Sequence, residues 1–248
     1  MPIPKNYTPA PDLLQGRVIL VTGAGRGLGK AAALAFARHG ASVILHGREA
    51  ARLEAVYDAI EADGAPQPAI FPLDLAAAQD KDFEAFANAI HQAFGRLDGI
   101  LHCAAHFQPL TPLANQTLEQ FMLLLRTNLA APFALTRACL PLLKAAPDAS
   151  VIFTSETHAL QPSAFWGGFA VSKSGLHTLT RIWAEELADS NVRVNTLIPG
   201  PVASPQRAQS HPGESPATLP SAETLIPAWL FLMGPEGRRL RGEVLPCP

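Results

Sequence analysis

Short apolar runs alternate with longer helical patterns along this 248-residue chain. RVILVT (17–22), ASVILHG (41–47), PAIFPLDL (68–75), DGILHCA (98–104), SVIFTS (150–155) and NVRVNTLI (191–198) read as strands, with a short last one in GEVL (242–245). Between them GLGKAAALAFARHG reads as an alanine-rich helix stopped by Gly40, and EAARLEAVYDAIEADG as a second helix. Further helical patterns fit about 80–94, a long stretch from about Thr117 to Lys144, about 167–189 and about 221–233. Strands that are apolar throughout, rather than alternating, suit a parallel sheet covered by helices on both faces. Right-handed crossovers then give a doubly wound α/β fold.

Two segments break the pattern. MPIPKNYTPAPDLLQ (1–15) is polar and proline-rich, an N-terminal extension with no apolar stretch fit for a signal peptide. PVASPQRAQSHPGESPATLPS (201–221) is rich in Pro, Ser and Ala, and too little chain follows it to form a domain. It reads as a loop over the strand ends, so 1–248 is expected to be one domain.

Composition narrows the function. Lys plus Arg is 19 and Asp plus Glu 21, a net charge of −2 with no basic stripe, which argues against nucleic acid. No apolar run is long enough to span a bilayer. The cysteines, Cys103, Cys139 and Cys247, lack metal-ligand spacing and read as reduced thiols, so a cytoplasmic protein without a metal is expected.

The first strand runs into TGAGRGLG (22–29). Gly23, Gly27 and Gly29 allow a tight turn and close backbone approach to a phosphate, and the following helix offers its free N–H groups and positive dipole end. Strand before and helix after supply the context that a glycine pattern needs. NAD sites commonly place an acid after the second strand, but VILHGRE has Gly47 there and Arg48 just beyond. Arg26 lies in the glycine loop, and two guanidinium groups near the ribose suit a 2′-phosphate. NADP(H) is therefore expected over NAD(H).

The spacing Thr22-Gly23-x-x-x-Gly27-x-Gly29 resembles the short-chain dehydrogenase/reductase family. The likeness runs through LLQGRVILVTGA, VILHGR, DGILHCAA, WGGFAVSK and RVNTLIPG, and is strongest to a bacterial subgroup. It implies a Rossmann-type sheet of about seven strands in the order 3-2-1-4-5-6-7. It also implies that Gly25 and Leu28 join Thr22 and the glycines at the cofactor, and that Asp74-Leu75 meets adenine. The segment Cys103-Ala104-Ala105 replaces the family's Asn-Ala-Gly after the fourth strand. Pro199-Gly200 follows the sixth strand, and Ser204 stands where a threonine often touches the cofactor.

Members of that family use a tyrosine to donate a proton, a lysine four residues later, a serine about thirteen residues earlier and an asparagine. Lys173 and Asn128 stand at their positions, but the tyrosine position is Phe169 and the serine position is Glu156. Tyr7 and Tyr57 are the chain's only tyrosines, and neither is expected near the nicotinamide. Ser155 would replace the lost serine if the loop shifted by one residue, but it is expected instead to end a strand and cap backbone groups. Glu156 is expected to form a salt bridge with Lys173, with a catalytic acid as the other reading. His106 and His158 are expected at the loops around the site, each a candidate substitute acid.

Three functions follow. One is a nucleotide-binding protein in which ordinary reductase chemistry is weak or lost. Another is an NADP(H)-dependent oxidoreductase with an unusual proton donor, Glu156 or His158. The third is a structural subunit without cofactor. The resemblance also implies a homodimer or homotetramer built on the helices near 117–144 and 167–189.

Overall fold

The computed structural model describes residues 2–247. Seven strands form one parallel sheet in the order β3-β2-β1-β4-β5-β6-β7. They are β1 Val18–Thr22, β2 Ser42–Gly47, β3 Ala69–Pro72, β4 Gly99–His102, β5 Ala149–Thr154, β6 Val192–Ile198 and β7 Val244–Pro246. Every residue of β1, β4, β5 and β6 is buried, as their unbroken apolar character requires.

Helices cover both faces. One carries α1 (Gly27–Arg38), α2 (Ala50–Ala62) and α8 (Ile226–Met233), with Phe36, Leu53, Val56 and Trp229 among its buried side chains. The other carries α3 (Asp80–Phe94), α5 (Ala131–Ala145) and α6 (Gly167–Glu186), packed through Phe86, Ile90, Leu135, Leu176 and Trp183. Local sequence sets the helix ends. Gln79 and Asp82 form a capping box at the start of α3, and Gly95, with φ 68°, ends it in the left-handed conformation. Thr117 and Gln120 do the same at the start of α4 (Leu118–Leu125).

The long helical pattern from 117 to 144 is not one helix. A π-helical turn at Arg126–Ala130 separates α4 from α5. It swings Asn128 inwards, where it is 1% exposed. Such turns recur at functional sites, because they re-aim a side chain without ending the helix. The 201–221 segment is partly ordered as α7 (Pro205–Ser210), capped by the Ser204 hydroxyl, followed by a short 3-10 turn. The N-terminal extension lies on the α8 side, with Tyr7 edge-on to Phe231 at 5.1 Å and Leu14 fully buried.

Candidate active site

Parallel register aligns the carboxyl ends of β1, β2 and β4, with Thr22 opposite both His46 and His102. Strand order reverses between β1 and β4, and ligands of open α/β sheets bind in the crevice at such a point. A cleft of about 420 Å³ opens there.

Its first end is built from backbone. Gly23 has φ 69°, and a side chain on it would begin 2.9 Å from the Ala104 backbone. At Gly29 a Cβ would lie 2.2 Å from the Gly23 carbonyl oxygen, so α1 can start against the strand only if this residue is glycine. No side chain caps α1, which leaves its first amides for an anion. The cleft residues here include Gly25, Arg26, Gly27 and Leu28. The Thr22 side chain is turned away. Its Oγ1 accepts hydrogen bonds from the Cys103 and Ala104 amides, 3.1 Å each, and ties β1 to β4.

Arg26 and Arg48 are exposed on the cleft, and neither has an ion-pair partner among the described residues. The adjacent acid, Glu49, is taken up by Arg52 at 2.8 Å. Asp74 and Leu75 also line the cleft, and the Asp74 carboxylate holds the Ala76 amide at 3.0 Å. Amides, two unpaired guanidiniums and close-approach glycines together fit a phosphorylated dinucleotide.

The second end is lined by Cys103, Ala104, Ala105, His106, Thr154, Ser155, Glu156 and Lys173, closed by Pro199, Gly200 and Ser204. Lys173 is 4% exposed and donates to the Thr154 carbonyl at 2.8 Å. Burial pulls its pKa down to about 8, against the opposing pull of Cys103 and Glu156. The Cys103 thiol, 3.3 Å from the Thr154 hydroxyl, is pushed up to about 11 by burial and is no nucleophile at neutral pH.

The expected Glu156–Lys173 salt bridge is absent. The partner of Glu156 is His158, with Oε1 3.0 Å from Nδ1. Lys173 turns to the Thr154 carbonyl instead, and the 3-10 turn Thr157–Ala159 brings His158 back over Glu156. His158 also stacks on Trp166, with ring centroids 3.8 Å apart. Asn128 does not line the cleft. Its amide holds both backbone groups of His106, accepting at 2.7 Å and donating at 2.9 Å, and reaches Ser172 Oγ at 3.1 Å.

Phe169 is 2% exposed. It packs edge-on to Phe107 at 5.0 Å, in a cluster with Trp166, Leu124 and Ala170, and the Lys173 ammonium lies 5.8 Å from its ring centre. A ring so enclosed offers the cleft neither a proton nor a polar edge.

Ser155 does not cap backbone as expected. Its hydroxyl is paired with His177 Nε2 at 2.6 Å, and both residues are buried. The sequence reading missed His177, Trp166 and Phe107. The spacing of Lys173 and His177, one helical turn apart, was a signal for the first; nothing local marks the other two. Neither tyrosine lines the cleft: Tyr7, in the N-terminal extension, packs edge-on to Phe231 of α8, and Tyr57 on α2 accepts from Gln67 at 2.7 Å.

The fold and this cleft are those of the short-chain dehydrogenase family. The chain belongs to that family, whose model matches residues 17–215. It is 37% identical to the uncharacterized oxidoreductase YciK of Escherichia coli K12 over 96% of this chain and 94% of that protein. A short-chain dehydrogenase structure from Pseudomonas syringae superposes with a TM-score of 0.96 at 44% identity, covering 98% of this chain and 99% of that one. Another, from Escherichia coli CFT073 in complex with NADPH, superposes with a TM-score of 0.93 at 37% identity, covering 96% and 99%. Among the described residues no helix is long and apolar enough to cross a membrane.

Proposed function

We propose that residues 1–248 form one NADP(H)-binding domain in which the ordinary proton donors of carbonyl reduction are lost. The enclosed Phe169, 2% exposed at the tyrosine position, carries this reading. Bound NADPH supplies a hydride, and everything else must come from the protein. The α1 amides hold the pyrophosphate, Arg26 and Arg48 the 2′-phosphate, and Asp74 and Leu75 border the adenine. Lys173 holds the nicotinamide ribose from the wall it shares with Cys103, Ala104 and Ala105, while Asn128 fixes the His106 loop above.

No tyrosine lies beside Lys173. Removing a positioned general acid costs about 10²–10⁴ in rate. Removing an oxyanion donor costs about 10²–10³. The two do not simply multiply, since such residues act as a unit. The NADPH complex of the Escherichia coli CFT073 relative supports the choice of cofactor.

A second reading has one observation in its favour. His158 is held by Glu156 at 3.0 Å, an imidazole–carboxylate pair that would stand in for the missing donor in an active NADP(H)-dependent oxidoreductase. A cofactor-free structural subunit is the third reading, and the open α1 amides and glycine turn weigh against it. Exposed Leu118, Met122, Phe133 and Ile182 on α4, α5 and α6 favour a homodimer or homotetramer through those helices. The cytoplasm is the expected compartment.

Titrating NADPH by its fluorescence, then testing a panel of carbonyl substrates, separates the three. Binding without turnover is expected. Turnover by the unaltered protein supports the second reading, and absence of binding the third.

A further inference from the structure

Ser155 directly follows β5, at the carboxyl end of the sheet. Its Oγ lies 2.6 Å from Nε2 of His177 on α6. The pair is 5% and 7% exposed, yet Ser155 borders the cleft beside Glu156 and Lys173. The function proposed above, with Glu156 at the family's serine position, gives this pair no role.

We propose that Ser155 and His177 are a nucleophile and its base, which take an acyl group from a small activated ester or thioester in the cleft. A serine hydroxyl is a weak nucleophile until a base within hydrogen-bond reach takes its proton, and 2.6 Å is within that reach. Burial, with the charges of Arg181 and Lys173, holds the His177 imidazole below its usual pKa, so at neutral pH it is the free base. Lys173, donating to the carbonyl one residue before Ser155, puts positive charge on the wall where an oxyanion would develop. Phe107, packed on Trp166 and Phe169, forms an aromatic wall of the same cleft, which favours a short acyl group.

The step balances with water as the co-reactant. The Ser155 oxygen bonds to the carbonyl carbon as its proton passes to His177 Nε2. The carbon–leaving-group bond breaks, and the alcohol or thiol departs with that proton. Water then attacks the acyl carbon, giving a proton to Nε2. The bond to Oγ breaks, Ser155 recovers the proton, and a carboxylic acid leaves.

A fluorophosphonate probe, applied to the full chain without dinucleotide, tests this independently of cofactor binding. A single adduct on Ser155 is expected by peptide mass spectrometry, with a P–O bond in place of P–F and fluoride released. Ser155→Ala should give no adduct. His177→Gln, which keeps a polar group against Ser155, should label at least about 100-fold more slowly, as expected for loss of a general base. Near-UV circular dichroism reports whether each variant is folded. In the unaltered protein, p-nitrophenyl acetate should release nitrophenolate. No adduct on Ser155, an adduct only elsewhere, or wild-type labelling speed in a folded His177→Gln would each overturn the proposal.

Discussion

The two ends of the cleft are made differently. The end at α1 is backbone: amides, a glycine turn and a helix start that tolerates no side chain at Gly29. Its charged side chains, Arg26 and Arg48, are exposed and unpaired among the described residues. The end at α6 is side chains, and most are already engaged with one another. Glu156 holds His158, Ser155 pairs with His177, Lys173 donates to Thr154, and Phe169 is locked among Phe107 and Trp166. A backbone cradle depends on glycine and fold and survives side-chain change. A catalytic constellation depends on single functional groups, and in the function proposed above two of its four positions hold other residues. Binding and turnover can therefore part company in one cleft.

Substitutions at the two ends test that contrast. The largest effect is expected on stability at the second end. Phe169→Ala removes a ring buried in an aromatic cluster and should cost about 3–5 kcal/mol, read from denaturant midpoints. The account is wrong about this end if the ring can be removed for much less.

Lys173 gives the next effect. Its folded pKa of about 8 lies below its ordinary 10.5. Between those values the unfolded chain binds a proton that the folded chain does not, so this group's contribution to stability rises with pH through the window. Below about pH 8 the buried charge costs its full amount. Lys173→Met should therefore stabilise the protein at pH 7 by up to ~3 kcal/mol, less the lost bond to Thr154, and the gain should shrink towards pH 10.5. A pH-independent difference between the two proteins would count against the depressed pKa.

Arg48→Ala should have the smallest effect, at the first end. It should weaken NADPH binding about tenfold, the scale of one charge-assisted hydrogen bond at an exposed site, and leave NADH binding unchanged. Equal weakening of both dinucleotides would mean that Arg48 does not read the 2′-phosphate.

The same contrast explains what the sequence made legible. The covered parallel sheet and the glycine loop are encoded in continuous apolar strands and in glycine spacing, which are local, and RVILVT followed by TGAGRGLG shows both, whereas the strand order rested on the family resemblance. The π turn at Arg126–Ala130 was invisible, because one extra residue in a helical turn barely disturbs the apolar pattern. The partners of Glu156 and Ser155 were misjudged for a different reason. Lys173 is near Glu156 in the alignment of motifs, but where its ammonium points is fixed by the Thr154 carbonyl, and the turn at Thr157–Ala159 supplies His158 instead. The aromatic wall joins Phe107 of one loop to Trp166 and Phe169, more than fifty residues away, and no short-range pattern records such contacts.

The central claim is that the cleft keeps its cofactor and lacks only its proton donors. Restoring both, as Phe169→Tyr with Glu156→Ser, tests it directly against the unaltered protein. NADPH oxidation over the same carbonyl panel is the readout, at matched cofactor saturation. The expected result is no turnover above background by the unaltered protein and measurable turnover by the double variant. Turnover by the unaltered protein at a rate equal to or above that of a folded, NADPH-binding double variant would contradict the account.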